Sequence, residues 1–356
     1  MKKKDYHTQH RSRKRVTAKD IAVRLGISEM TVSRALNNRG YVDKETQEKV
    51  LAVSKELGYS PNHIAKSLVL KKTQTIGVVV PEITHSFFPE AIRGIEEVAF
   101  MANYQLILTH SAENAKREQD AILTLESKRV DGILISTAQS VEDDTFYRKL
   151  VKLSVPIVFF DRCVYGIGAN CVSIDDEESA KKITMHLISH GYKRIAHLSG
   201  PLGVSIGRDR LNGFKTALKE KDIPLCKELI VESGFHEKGG YEAMNKMLSL
   251  PKKMYPRAVV AVNDPAAFGA MKAIEEHHLS IPKDIAIVGF SDDIRAALIS
   301  PPLTTVRQPA YEVGKRAAEK LLEIIEGKSN SIEEISINTE QVIRTSCGCN
   351  KKKVKL

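Results

Sequence analysis

No stretch of the chain approaches the roughly 18 consecutive apolar residues that a membrane span needs, although 42% of its 356 residues are hydrophobic. The opening segment, MKKKDYHTQHRSRKR, is basic but has no apolar run behind it, so no secretory signal is expected and the protein is placed in the cytoplasm. Cysteine is scarce and odd in number: Cys163, Cys171, Cys226, Cys347 and Cys349. Cys347-Gly348-Cys349 lacks the second, suitably spaced pair of a zinc framework, so reduced thiols are expected, with neither a disulfide nor a metal site. His186 and His190 stand four apart on a helical stretch without the H-E-x-x-H pattern and are assigned to solvent or packing. Phosphate-cradling loops are missing too. There is no Walker glycine loop and no G-x-G-x-x-G after a strand-like run, so no nucleotide cofactor is expected. Paired carboxylates or a nucleophile with its base do not occur at a recognisable spacing, which argues against an enzyme.

What the chain does have is lopsided positive charge. It carries 54 basic and 44 acidic residues, and residues 1–75 hold 17 of the former against 7 of the latter, leaving 37 of each for the remainder. The whole excess of +10 therefore sits in the first fifth of the chain. Seven of those cations precede Val16 and need be no more than a solvated leader over residues 1–15, but the other ten lie beyond it. A small polyanion-binding module ahead of an electrically balanced body is the expectation.

The residues of that module suit DNA. Thr17 is a good helix N-cap, with Asp20 three residues on and an apolar stripe of Ile21, Ala22 and Leu25 before Gly26. Ser28 then caps a second helix, ISEMTVSRALNN, in which Val32 and Leu36 face inward at about 100° per residue. Met30, Arg34 and Asn37 share the opposite face, flanked by Glu29 and Ser33. A third amphipathic segment, DKETQEKVLAVSKELGY, offers Val50, Val53 and Leu57 to cover the first two. Helix, short turn, helix is the arrangement that sets a second helix into the major groove. Arg can pair with guanine, Glu can accept from cytosine, and a methionine can meet a thymine methyl. Thr17, Ser28, Thr31, Ser33, Asn37 and Thr46 supply hydroxyls and amides of the kind that hold phosphates.

From VTAKDIAVRLGISEMTVSRALNN through YVDKETQEKVLAVSKELGYSPNHIAKSLVLKKTQTIGVVVP, the chain resembles the LacI/GalR family of bacterial transcription repressors, a resemblance that continues nearly to the C-terminus. It implies a headpiece over 16–60 and a hinge helix over 61–74. In that hinge Asn62, Ala65 and Lys66 would meet DNA, and Leu68 would wedge into the minor groove at the operator centre. Glu29 and Met30 take the variable specificity positions, and Arg34 matches the common base-contacting arginine. The partners implied are a pseudo-palindromic double-stranded operator, a small sugar-like effector and a second copy of the chain in a homodimer.

From Thr75 the pattern changes to apolar runs of about five residues (TIGVVVP, DGILIS, PIVFFD, AVVAVND, IAIVGF) alternating with amphipathic stretches, the signature of repeated βα units and parallel sheets. The expected class is therefore α + α/β: a small all-α helix-turn-helix headpiece, then a two-lobed α/β body. The resemblance makes that body periplasmic-binding-protein-like (type I), spanning 75–346. One lobe would hold about 75–173 and 307–336, the other about 174–306 and 337–346, with a basic tail over 347–356 too short for a coiled-coil zipper. Ligands in such sheets bind beyond the carboxyl ends of the strands. Phe87, Phe88, Asp161, Arg210, Asn263, Ser291 and Gln308 match the effector cleft, with Asp264 helping to shape it. At Ser291 the family often has an aspartate, which weakens the expectation of a simple neutral hexose. Control by a protein corepressor is the alternative, and a carbohydrate-binding or carbohydrate-processing protein with a basic arm the remote one.

Overall fold

The computed structural model describes residues 16–38, 40–60, 72–84, 86–138, 144–152 and 155–349. The leader, the end of the tail, and Asn62, Ala65, Lys66 and Leu68 of the hinge lie outside the described residues. The chain divides into two units, residues Met1–Lys71 and Lys72–Leu356. Among the described residues no helix is long and apolar enough to cross a membrane.

Among its described residues the first unit holds three helices: α1 (Ala18–Leu25), α2 (Glu29–Asn37) and α3 (Lys44–Glu56). Local chemistry sets each start. Thr17 and Asp20 form a reciprocal capping box, Ser28 accepts the backbone N–H of Thr31, and Asp43 accepts that of Thr46. Gly26 takes the left-handed conformation, φ 66°, that turns α1 into α2. Ile21, Ala22, Val32, Ala35 and Val50 are buried together, with Leu25, Leu36, Val53 and Leu57 packed around them.

The second unit contains a six-stranded sheet and a four-stranded sheet. The first is built from β1 (Thr75–Val80), β2 (Gln105–His110), β3 (Gly132–Ile135), β4 (Ile157–Phe160), β5 (Asn170–Ile174) and β11 (Glu334–Ile337). All its pairings are parallel, in the order β11-β5-β4-β3-β1-β2. The second holds β6 (Ile195–Ser199), β7 (Ile230–Glu232), β8 (Ala258–Ala261) and β9 (Ala286–Val288), parallel in the order β7-β6-β8-β9. Burial on both faces explains why β1, β3, β4, β6 and β8 read as continuous apolar runs. The chain passes between the lobes three times: after β5, after β10 (Thr305–Arg307), and between β11 and β12 (Glu340–Val342). β10 and β12 pair antiparallel, a small third sheet that the sequence pattern does not announce.

In the first lobe, the helix Phe87–Met101 lies against the helix Ala310–Ile325 with their backbones in contact. A Cβ at Gly94 would fall 2.2 Å from the Tyr311 carbonyl oxygen, and one at Gly314 would fall 2.0 Å from that of Ala91. One sequence expectation fails in this lobe. Cys163 and Cys171 are joined by a disulfide, because the turn between β4 and β5 brings their Cα atoms to 6.0 Å, while Cys226, Cys347 and Cys349 are free.

Gly94→Ala removes a poor helix former but forces two backbones apart. The overpacking outweighs the propensity gain, and a loss of about 1–3 kcal/mol is expected in urea unfolding. Unchanged stability would show that the helices are not held this closely.

Candidate functional site

Two surfaces carry the residues singled out by sequence. On the first unit, Glu29, Met30, Ser33, Arg34 and Asn37 are all exposed, opposite buried Val32 and Ala35. Met30 keeps 63% of its surface in water, which no packing requirement explains. Among the described residues no carboxylate pairs with Arg34, whose stem passes Gly40, whereas Arg24 is paired with Glu56 and Lys49 with Glu45. Thr17, Ser28 and Thr46 stand at helix starts, where backbone N–H groups and side-chain hydroxyls together favour an anion. Thr31 joins Ser28 through a hydroxyl pair at 2.9 Å. Asn37 differs from expectation: its amide donates to the Ser33 carbonyl at 2.8 Å, so its free acceptor oxygen is what it can offer.

On the second unit the carboxyl ends of both sheets converge on one cleft of about 520 Å³, part of it continuous with solvent. Phe87, Phe88, Asp161, Arg210, Asn263, Ser291 and Gln308 all line it. Asp264 does not. It is buried behind the cleft, accepting Thr305 Oγ1 at 2.6 Å and the backbone N–H of Asp293 at 2.7 Å. Burial pushes its carboxyl up to about 7. Asn263 spends its side chain on structure as well as lining the wall, capping the helix Asp264–Glu276 through Ala266 N–H at 2.9 Å and donating to the Phe235 carbonyl at 2.8 Å.

Arg210 is held from three sides. Its Nε donates to Asp176 Oδ1 at 2.7 Å, one Nη to the Val262 carbonyl at 2.6 Å, and its guanidinium lies 3.7 Å from the centroid of Phe290. Asp161 projects from the end of β4 with φ 59°, and burial lifts its carboxyl to about 6 against the opposing pull of Arg162 and Arg210. Burial also brings Asp176 to about 7, with Arg210 pulling it down and the neighbouring Asp161 pushing it up.

Sequence reasoning missed half of the lining. Arg162 follows Asp161 directly, yet nothing in its spacing marks it. In the fold its Nη1 pairs with Glu113 at 2.9 Å and its guanidinium sits 4.5 Å over the ring of Phe235, in the other lobe. Ser86 likewise crosses the cleft, donating to Asp293 at 3.2 Å. Burial acts to raise Asp293, but hydrogen bonds from Arg295 outweigh it and hold the carboxyl below its usual range. Two buried donors of cleft residues face Asp161: Arg162 Nε stands 4.0 Å from its Oδ2, and the Gln308 side chain acts on the same carboxyl.

His186 and His190, assigned singly to solvent or packing, meet the Cys347-Gly348-Cys349 turn, because folding returns the C-terminal segment to the helix Asp176–Ser189.

The folded carboxyl of Asp161 is raised, so its contribution to stability is present below the ordinary carboxylate value and is lost as pH rises through about 6. Asp161→Asn should therefore gain on the parent between pH 4.5 and pH 7.5, by on the order of 1–3 kcal/mol in chemical denaturation. A difference that stays flat with pH would contradict a raised Asp161.

The family model for bacterial regulatory proteins of the lacI family matches residues 17–62, and the model of a periplasmic binding protein-like domain matches residues 184–347. The HTH-type transcriptional repressor PurR of Vibrio vulnificus is 36% identical over 330 residues, covering 92% of this chain and 97% of its own. The ribose operon repressor of Halalkalibacterium halodurans is 34% identical over 328 residues, with 92% and 96% covered. Among solved structures, the lac repressor dimer bound to operator and the anti-inducer ONPF is 27% identical with a TM-score of 0.84, covering 94% of this chain and 99% of that one. The transcriptional regulator CelR–cellobiose complex has a TM-score of 0.72 at 27% identity, with 93% and 100% covered.

Proposed function

The chain belongs to the LacI family of bacterial regulatory proteins and is a DNA-binding transcriptional repressor; from that premise we propose that it governs carbohydrate-utilisation genes and that a small sugar-like effector in the cleft sets its operator affinity. The observation that carries the effector reading is the convergence on one cleft of the buried polar side chains Asp161, Arg162, Arg210 and Gln308 beside the rings of Phe88 and Phe235. Hydroxyl groups both accept N–H donors and donate to Asp161, while an aromatic ring covers their C–H side. Cellobiose in the CelR structure is in keeping with that chemistry.

Glu29, Met30 and Arg34 would read bases, the capping hydroxyls would hold phosphates, and Leu68 would serve as the minor-groove wedge. Two protomers would present two headpieces to a pseudo-palindromic operator in the cytoplasm. Phe100, Met101, Leu108 and Leu123 leave an apolar surface exposed on the first lobe, and Ile294 and Leu298 do so on the second, as a homodimer face would. Effector binding would reset the contacts across the cleft, Ser86 to Asp293 and Arg162 to Phe235, and operator would in turn alter effector affinity by the same factor.

Arg34→Ala should cost about 1–3 kcal/mol on a duplex selected by the parent protein from a random pool, roughly 5- to 150-fold in anisotropy titrations, with little change on unselected DNA. Equal losses on both would remove Arg34 from base reading. In a thermal-shift panel of sugars, sugar acids and nucleobases, a sugar-class compound should raise the parent's melting temperature. Gln308→Ala should abolish that shift while operator binding persists. Stabilisation by a nucleobase alone would overturn the sugar reading.

A further inference from the structure

His186 and His190 lie one turn apart on the helix Asp176–Ser189, their ring centroids 4.6 Å apart. Cys349 Sγ is 3.6 Å from His186 Nε2 and 3.0 Å from His190 Nε2. The ligand atoms of His186, Cys347 and Cys349 all fall within 4.8 Å of one another. In a tetrahedral zinc site, with Zn–S about 2.3 Å and Zn–N about 2.0–2.1 Å, neighbouring ligand atoms stand about 3.3–3.8 Å apart. The separations of Cys349 Sγ from the two imidazole nitrogens, 3.6 and 3.0 Å, fall within and just below that range. We propose that His186, Cys347 and Cys349 form the core of a binding site for one thiophilic divalent ion, completed by His190 from its contact with Cys349, with Zn²⁺ the best match to the resulting S₂N₂ donor set.

Three surrounding features fit such a site better than chance proximity. His190 Nδ1 lies 2.8 Å from the His186 carbonyl, which can only accept, so the ring carries its proton there and directs the Nε2 lone pair at Cys349. A backbone carbonyl fixing the far nitrogen is the usual support of a metal-binding histidine. Thr304 Oγ1 donates to Cys347 Sγ at 3.1 Å, an interaction that favours the thiolate. Gly348 has φ 91°, where a side chain would be strained and its Cβ would meet the Tyr192 hydroxyl at 2.8 Å. The left-handed turn lets two cysteines only two residues apart approach the same point. Cys347 is buried and His190 exposed, so the cluster has both an interior anchor and an open edge for ion entry.

The ion would act as a clip. The segment after β12 is pinned to the second lobe by Ser346, which donates to the Ile287 carbonyl at 2.6 Å and accepts Thr304 N–H at 2.8 Å. A metal would fasten the residues just beyond to the helix that opens the same lobe.

The test uses the full-length, tag-free chain, metal-stripped and titrated anaerobically with Co²⁺. One Co²⁺ per chain is expected, with tetrahedral visible bands and a near-ultraviolet thiolate-to-cobalt charge-transfer band, both displaced by Zn²⁺. Cys349→Ser should weaken the charge-transfer band, and His190→Gln should loosen Co²⁺ at least tenfold. Both residues lie at the rim, and operator binding by each variant reports that the fold is kept. Cobalt bound without a charge-transfer band, or bound unchanged by both variants, would assign it elsewhere and overturn the site. A disulfide between Cys347 and Cys349 in the protein as isolated, shown by thiol titration and mass, would overturn it as well.

Discussion

The second lobe and its cleft depend on one buried guanidinium. Arg210 reaches from the helix Ser205–Glu220 to the Asp176 carboxylate, the Val262 carbonyl and the face of Phe290. These are the start of the helix after the first crossing, the end of β8 and the residue beyond β9. One side chain therefore sets three walls relative to one another. Desolvating two charges costs several kcal/mol per ion, and the geometry has to return that through short bonds and the ring contact. Taking away either partner would leave the other charge buried alone. Arg210 is thus both wall and keystone, and substituting it would confound ligand binding with folding.

The same constraint shapes the electrostatics. Asp161, Asp176 and Asp264 are buried close to the strand ends, and burial raises all three carboxyls above their ordinary range. Arg162 and Arg210 keep Asp161 from rising further, so its carboxyl sits near 6. An acceptor poised in this way gains when a ligand hydroxyl donates to it. The cleft is preorganised by cations that structural contacts already hold, which spares the ligand that ordering cost.

Much of this was legible in the sequence. The headpiece could be read because caps and apolar spacing act over three or four residues: Thr17 with Asp20, Ser28 with Thr31, Val32 with Leu36. The strand-end polar residues Asp161, Asn263 and Ser291 could be placed because buried parallel strands print themselves as apolar runs with a polar stop. What was not legible depends on convergence across the fold. Arg162, Glu113 and Phe235 become neighbours only when two sheets face each other, and His186 meets Cys349 only when the C-terminal segment folds back. Asp264 was read toward the ligand because a strand-end carboxylate looks the same whether it faces the cleft or Thr305.

The departure at Ser291 has a structural counterpart that links ligand site to lobe movement. The carboxylate found one residue later, on Asp292, receives Arg307 Nε at 2.8 Å and Arg344 Nη2 at 2.7 Å, arginines of the second and third crossing segments. Ser291 and Asp292 hold φ of 122° and 55°, conformations that cost non-glycine residues about 1–3 kcal/mol each. Ser291 lines the cleft, and its backbone N–H donates to Val306 in the same crossing. A strained dipeptide therefore joins the ligand wall directly to the segments about which the lobes would turn. Small displacement at the wall has no slack in which to dissipate, because both neighbours of the peptide are anchored by ion pairs or strand hydrogen bonds.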